Sequence, residues 1–90
     1  MILTFKQVKV LEAINNYIEY HKMSPTISDI ASATTKDMGI SKTKKTSRGT
    51  IQPKLDVLEL KGMIKRVAGK LRGITVTEKG KEFLKVLDIN

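Results

Sequence analysis

Apolar residues fall at helical spacing in four stretches of this chain, and two short stretches between the last of these have strand-type composition. In the first stretch Val8, Leu11, Ile14 and Ile18 make one stripe, preceded by Thr4-Phe5-Lys6-Gln7. That run matches a capping box, with Thr as N-cap and Gln reaching back to the N-cap backbone. The pattern predicts a helix over 4–21. Tyr17 flanks its stripe with the hydroxyl at the edge, and Met1-Ile2-Leu3 packs beneath. Pro25 disfavours helical geometry at Ser24 and so separates this helix from the next. Thr26 with Asp29 three residues on can cap a second helix, carried by Ile27, Ile30, Ala31, Thr34 and Met38. It ends near Ala33 or runs to Met38 with Gly39 as its C′ residue. The continuing period favours 26–38.

The third helical stretch organises the rest. Ile51, Leu55 and Leu58 stand at i, i+4 and i+7, predicting a helix over 47–61 with Ser47 as N-cap and Gly62 as the left-handed residue that closes it. Pro53 has no N–H to give Gly49, so the helix is kinked there or begins only near Thr50. Met63–Val67 and Ile74-Thr75-Val76 read as strands joined by a basic, Gly-marked turn, a hairpin over 63–77. Thr77 then caps a last helix over 78–88, with Phe83, Leu84 and Leu87 toward the core and Val86 and Ile89 left over. Ile40–Thr46 is a polar, basic connection, longer than the three or four residues usual between two helices of a helix-turn-helix. Its lysines either track a phosphate backbone or form a solvated loop.

Charge changes the picture more than composition does. Ninety residues with 40% apolar content suffice for one domain, 1–90, with a modest core. The formal charge of +8 is concentrated. Lys36, Lys42, Lys44, Lys45, Arg48 and Lys54 against Asp37 give one window of +5, and Lys61, Lys65, Arg66, Lys70 and Arg72 another of +5. The remainder is net negative. A basic surface kept for solubility would be scattered, whereas a polyanion partner accounts for segregation, because neutralising phosphates releases condensed counterions. With two Tyr, two Phe and no Trp, stacking on single strands is excluded as the main binding mode. A helix leading directly into a basic hairpin is the arrangement of a winged helix. The fold class is therefore α+β, mostly helical: a winged helix-turn-helix with a three-helix core, a two-stranded wing and a C-terminal helix.

With Ile51, Leu55 and Leu58 inward, helix three shows Gly49, Gln52, Pro53 and Asp56 outward and Arg48, Thr50 and Lys54 on its flanks. Gln52 can pair bidentately with adenine, Thr50 can touch a thymine methyl and Arg48 can reach guanine or a phosphate. Asp56 would repel phosphates it faced. This is a poor surface for direct readout, so phosphate contacts and DNA shape are expected to carry much of the affinity. The phosphate candidates are Lys42, Lys44, Lys45, Ser47, Lys54, Lys70 and Arg72, with Thr26 and Ser28 at the start of helix two, where Thr26 can equally be only a cap. Ile2, Val86 and Ile89 are the expected seam of a homodimer, which would set half-site spacing.

Other classes find little support. Without Cys and with only His21, no metal site is expected, and no cofactor. No Gly-rich phosphate loop and no paired acids point to an enzyme or a small-molecule ligand. No apolar run approaches the roughly 20 residues of a membrane span, and no signal peptide pattern opens the chain. A cytoplasmic, nucleoid-associated protein is expected.

LTFKQVKVLEAINNYIEYHKMSPTISDIA resembles the opening of the LexA repressor family's DNA-binding domain, with a Leu-Thr start, a long helix, a Pro-Thr break and an Ile-Ala helix in that order. LDVLELKGMIKRVAGKLRGITVT is similar to the end of that domain's recognition helix and its wing, and VTEKGKEFL to the start of the last helix in MarR- and PadR-type winged-helix regulators. The resemblance covers residues 3–84. It implies double-stranded DNA binding by helix three in the major groove, with the wing on the flanking backbone. Two features depart from the family: the chain stops at Asn90, without a self-cleaving protease domain, and the connection before helix three is longer. The expected function is a small prokaryotic, phage or mobile-element transcriptional regulator, a repressor in the first instance. The alternatives are a replication or partition protein of a plasmid or phage, and a winged-helix module that docks an acidic protein.

Overall fold

The computed structural model describes residues 3–34, 48–70 and 72–87, with the side chains of 48–50 outside that set. Among the described residues the order is α1 (Phe5–His21), α2 (Ile27–Thr34), α3 (Arg48–Leu60), β1 (Ile64–Arg66), β2 (Ile74–Val76) and α4 (Glu78–Leu87). This is a winged helix-turn-helix. The connection 40–46, the Ser47 cap and an extension of helix two to Met38 and Gly39 lie outside the described residues.

Local signals start each element. The Thr4 hydroxyl accepts from the Gln7 N–H and the Gln7 side chain accepts from the Thr4 N–H, completing the capping box of α1. Lys22, in the left-handed region, ends that helix and donates its N–H to Ile18. A second reciprocal box opens α2: the Asp29 N–H donates to the Thr26 hydroxyl and the Thr26 N–H to the Asp29 carboxylate. Pro53 is the sixth residue of α3, and the helix begins before Thr50.

The C-terminus of α3 closes on Gly62 at φ 78°, which L side chains rarely adopt. The Gly62 N–H donates to the Glu59 carbonyl and the Met63 N–H to Leu58, the paired bonds of a Schellman motif. The chain thus leaves α3 directly as β1. That strand pairs antiparallel with β2 in the register Ile64↔Val76, Lys65↔Thr75 and Arg66↔Ile74. Thr77 caps α4, its hydroxyl accepting from the Gly80 N–H while its own N–H donates to the Met63 carbonyl.

The core lies where α1 meets the other three helices and β2. Ile51, Leu55 and Leu58 are fully buried against Leu11, Ile14, Ile30, Met63 and Ile64. Thr34 is the one buried polar residue among those described, and its hydroxyl donates to the Ile30 and Ala31 carbonyls. The pattern misplaced two details. Val10 is fully buried, while Val8 and Ile18 only border the core. Because α1 is packed by helices on more than one side, its buried face is wider than a single stripe. Leu87, expected toward the core, is 39% exposed at the end of α4, where no further element covers it among the described residues.

Gly80 is buried on α4 because nothing larger fits. A Cβ there would stand 2.3 Å from the Met63 carbonyl oxygen and 2.8 Å from a Val76 methyl. Alanine is the better helix former by about 1 kcal/mol, but a backbone carbonyl cannot step aside. Gly80→Ala is expected to destabilise the fold by about 1–3 kcal/mol. Urea unfolding should show a lower midpoint at unchanged slope.

Candidate nucleic-acid interface

Gln52, Asp56 and Glu59 stand at i, i+4 and i+7 on α3, a stripe beside the buried one. The reversal at Gly62 brings β1 back along this stripe. Ile64 turns into the core and Lys65 to solvent, so alternation returns Arg66 toward the helix. Its guanidinium lies along the stripe. Nε and Nη2 donate to Glu59 Oε1 at 3.0 and 2.7 Å, Nη2 donates to Asp56 Oδ1 at 2.6 Å, and Nη1 donates to Gln52 Oε1 at 3.4 Å. Asp56 and then Glu59 raise the Arg66 pKa above its ordinary value. The carboxylates are 66% and 41% exposed, so each pair contributes at most about 1 kcal/mol to folding. What the cluster supplies is position: it ties the wing to α3 and neutralises one of two acids on the helix.

The far end of the wing is held by a second arginine. Arg72 Nη1 donates to the Ser24 carbonyl at 2.9 Å, the Tyr17 hydroxyl at 3.3 Å and Asp29 Oδ2 at 3.3 Å. The hairpin tip is thereby pinned where α1 gives way to α2. Lys70 donates its N–H to the Val67 carbonyl across a turn in which Gly69 takes φ 80°. The position of that residue is the one a type II turn reserves for glycine. Gly73 is closely packed: a Cβ would meet the Val67 carbonyl oxygen at 2.9 Å.

Asp29 is the electrostatic centre of this junction. The Thr26 backbone N–H lowers its pKa below the ordinary value, opposed by burial and assisted by the Thr26 hydroxyl, Tyr17 and Arg72. The start of α2 therefore already holds an anion, and Thr26 is engaged there as a cap. A phosphate arriving at Thr26 or Ser28 would meet that carboxylate. Between the cap residue Thr26, Ile27 of α2, Gln52 and Leu55 of α3, and Lys70 and Ile74 of the wing lies an open cleft of about 470 Å³. Leu55, Gly73 and Ile74 are the buried members of its lining.

The expected site residues divide accordingly. Gln52 is exposed on α3 and Lys54 half-buried. Arg48 and Thr50 lie in the first turn of α3, with their side chains outside the described set. Lys70 is exposed on the wing, while Arg72 turns its guanidinium back onto the protein. Lys42, Lys44, Lys45, Ser47, Ile2 and Ile89 lie outside the described residues; Val86 is 64% exposed on α4. Arg66, Glu59 and Asp29 escaped the sequence reading as site residues. The signal for Arg66 was present: an acid pair at i and i+3 on α3, beside Gln52, followed across a glycine turn by a strand whose alternation returns an arginine to that face.

Among the described residues, no group of three or more His, Asp or Glu could hold a metal ion, and no helix is long and apolar enough to cross a membrane. The family model of the LexA DNA binding domain matches residues 1–73, which take in α1, α2, α3, β1 and the turn of the wing. LexA repressors of Lactobacillus johnsonii and Lactobacillus gasseri are each 38% identical over 79 residues, covering 88% of this chain. The chain spans about a third, 34%, of the length of these relatives.

A lowered carboxylate pKa has a definite sign. Asp29 contributes stability that is present in full above its ordinary value of 3.8 and is lost as pH falls through the lower folded value. Asp29→Ala removes the back-bond of the capping box and one of the three acceptors that hold Arg72. It is expected to cost about 0.5–2 kcal/mol near pH 7, as other helix caps do. The gap from the unaltered protein should narrow below pH 3.8. Denaturation at a series of pH values measures both.

Proposed function

The chain belongs to the LexA DNA-binding domain family, and from that membership we propose that it binds double-stranded DNA as a transcriptional regulator. In this reading α3 enters the major groove and the basic wing lies on the flanking backbone. The observation that carries it is the extent of the family match, which runs from α1 through α3 and β1 to the turn of the wing. The segregated charge supports it, since both +5 windows border α3 or the wing.

Base reading falls to Arg48, Thr50 and Gln52, and backbone contact to the lysines. Arg66 and Arg72 donate within the protein, which weights the phosphate set away from them; Lys42, Lys44, Lys45, Lys54 and Lys70 stay as its lysine candidates. Repression is the first mode to test, in a prokaryotic, phage or mobile-element setting, with the protein on the nucleoid in the cytoplasm. Residues 1–90 act in this reading as one domain and as a homodimer. Exposed Val86 on α4 supports a seam there, with Ile2 and Ile89 as its other candidate members.

Binding to a random duplex pool at two salt concentrations, followed by sequencing of what is retained, tests the proposal. A single enriched palindrome is expected. Retention that falls steeply with salt and enriches no sequence would reduce the protein to a backbone binder. No retention at low salt would favour an acidic protein partner. Lys70→Ala should weaken binding evenly across sequences and lower the salt slope by about 1, the share of one phosphate contact. Val86→Glu should leave the monomer folded and reduce cooperative binding; an unchanged sedimentation profile and affinity would remove the α4 seam.

A further inference from the structure

The geometry points to an exposed apolar stripe on α3, centred on Pro53 and walled by Phe5 of α1, as the reader of a thymine methyl group. The inference deepens the DNA-binding reading and rests on it. Pro53, Val57 and Leu60 stand at i, i+4 and i+7, a third stripe of α3 beside the buried and the polar ones. Pro53 is exposed, Val57 half-buried and Leu60 87% exposed. The polar stripe meets the wing through Arg66, whereas the apolar one borders the start of α1. There Phe5 and Lys6 of α1 and Pro53, Lys54 and Val57 of α3 line an open groove of about 520 Å³. Phe5 is itself 65% exposed.

The fold itself does not ask for these residues. Pro53 has no N–H for the Gly49 carbonyl, and proline is the least favourable residue in a helix interior. Phe5 and Leu60 leave large side chains in water without joining the core. A single exposed apolar residue is ordinary, but Phe5, Pro53 and Val57 share one groove, and contiguous apolar surface marks a place of contact. Two features choose the occupant. Two lysines and no acid line the groove, so charge favours an anionic partner. Pro53 also stands sixth of thirteen residues in the helix assigned to the major groove, and recognition helices present their N-terminal residues to base edges. Those edges carry donors and acceptors, which an apolar side chain strips of water and leaves unpaired. Thymine alone adds a methyl group. Apolar surface at this place therefore gains where it covers a thymine methyl and loses where it covers any other edge. Lys6, exposed at the rim, suits the flanking phosphates.

The test uses a duplex that the full chain selects from a random pool. Each thymine is replaced in turn by deoxyuridine, which keeps every hydrogen-bonding group and lacks only the methyl. At one thymine the replacement should weaken binding roughly fourfold, the worth of one buried methyl. Pro53→Ser should bring that ratio close to one and leave the ratios at other thymines as they were. Phe5→Ser, at an exposed position, covers the case in which Pro53→Ser does not fold, and should lower the ratio at the same thymine. Overall affinity will change in both variants, so the thymine-to-uracil ratio is the readout; a merely structural role would move the affinity for both duplexes alike. Binding indifferent to every replacement would overturn the role of the stripe while leaving DNA binding intact. So would a ratio undiminished in the folded variant, the result expected if Thr50 met the methyl instead. An undiminished ratio together with altered sedimentation would give the patch to contact between copies of this chain. No retention of duplex by the unaltered protein would instead remove the DNA reading, and this inference with it.

Discussion

The left-handed turn at Gly62 is the constraint on which the rest of the molecule depends. It closes α3 and launches β1 with no intervening loop, so the strand must run back along the helix it has just left. Met63 then becomes a shared point. Its N–H completes the helix cap on Leu58, its side chain is buried, and its carbonyl accepts from Thr77 at the start of α4. Gly80 packs against that same carbonyl at a distance only a residue without Cβ allows. One backbone conformation thereby sets the helix end, the strand direction and the seat of the last helix. The polar stripe on α3 and the return of Arg66 to it are consequences of the same reversal.

Formal charge overstates what this surface offers to a polyanion. Two arginines of the wing are spent internally, Arg66 on Asp56 and Glu59, Arg72 on Asp29 and the Ser24 carbonyl. Each such pair is worth little to stability at its exposure. Their value is geometric, because a two-stranded hairpin alone is marginal in water. Here the base of the wing is tied to α3 and its tip to the start of α2. The hairpin is thereby preorganised relative to both helices, and a rigid wing has less conformational freedom to lose on docking.

How far the sequence could be read follows from the range of each signal. The capping box at Thr4 and Gln7, the Thr26 and Asp29 box, the Ile51/Leu55/Leu58 stripe and the Gly62 stop are all encoded within a few residues. Each is found where local pattern places it. Val10, Gly80 and the destinations of the two arginines were not legible in that way. Each depends on what another part of the chain brings alongside: helices on more than one side of α1, the Met63 carbonyl under α4, a stripe of α3 opposite β1. Arg72 reaches Tyr17 across 55 positions of sequence, a contact that no window of local pattern contains. Of the candidate site, Gln52 was legible as an exposed helix residue, but the arginine that contacts it was not.

Acids on a helix proposed to face DNA look like a contradiction if each residue is weighed alone. Asp56, taken singly, subtracts from phosphate attraction, and Gly49 and Pro53 contribute no hydrogen bond to a base. Taken as a unit, the stripe separates two tasks that a row of lysines would merge. In the DNA-binding reading, lysines elsewhere would supply attraction that is indifferent to sequence and falls with salt. On α3 a nearly neutralised cluster ties the wing to the helix without leaving a free cation there. A free cation in that place would add affinity for every sequence equally and so lower the ratio between right and wrong sites. Specificity is a difference, and on the proposed reading a charge-compensated face keeps the common term small.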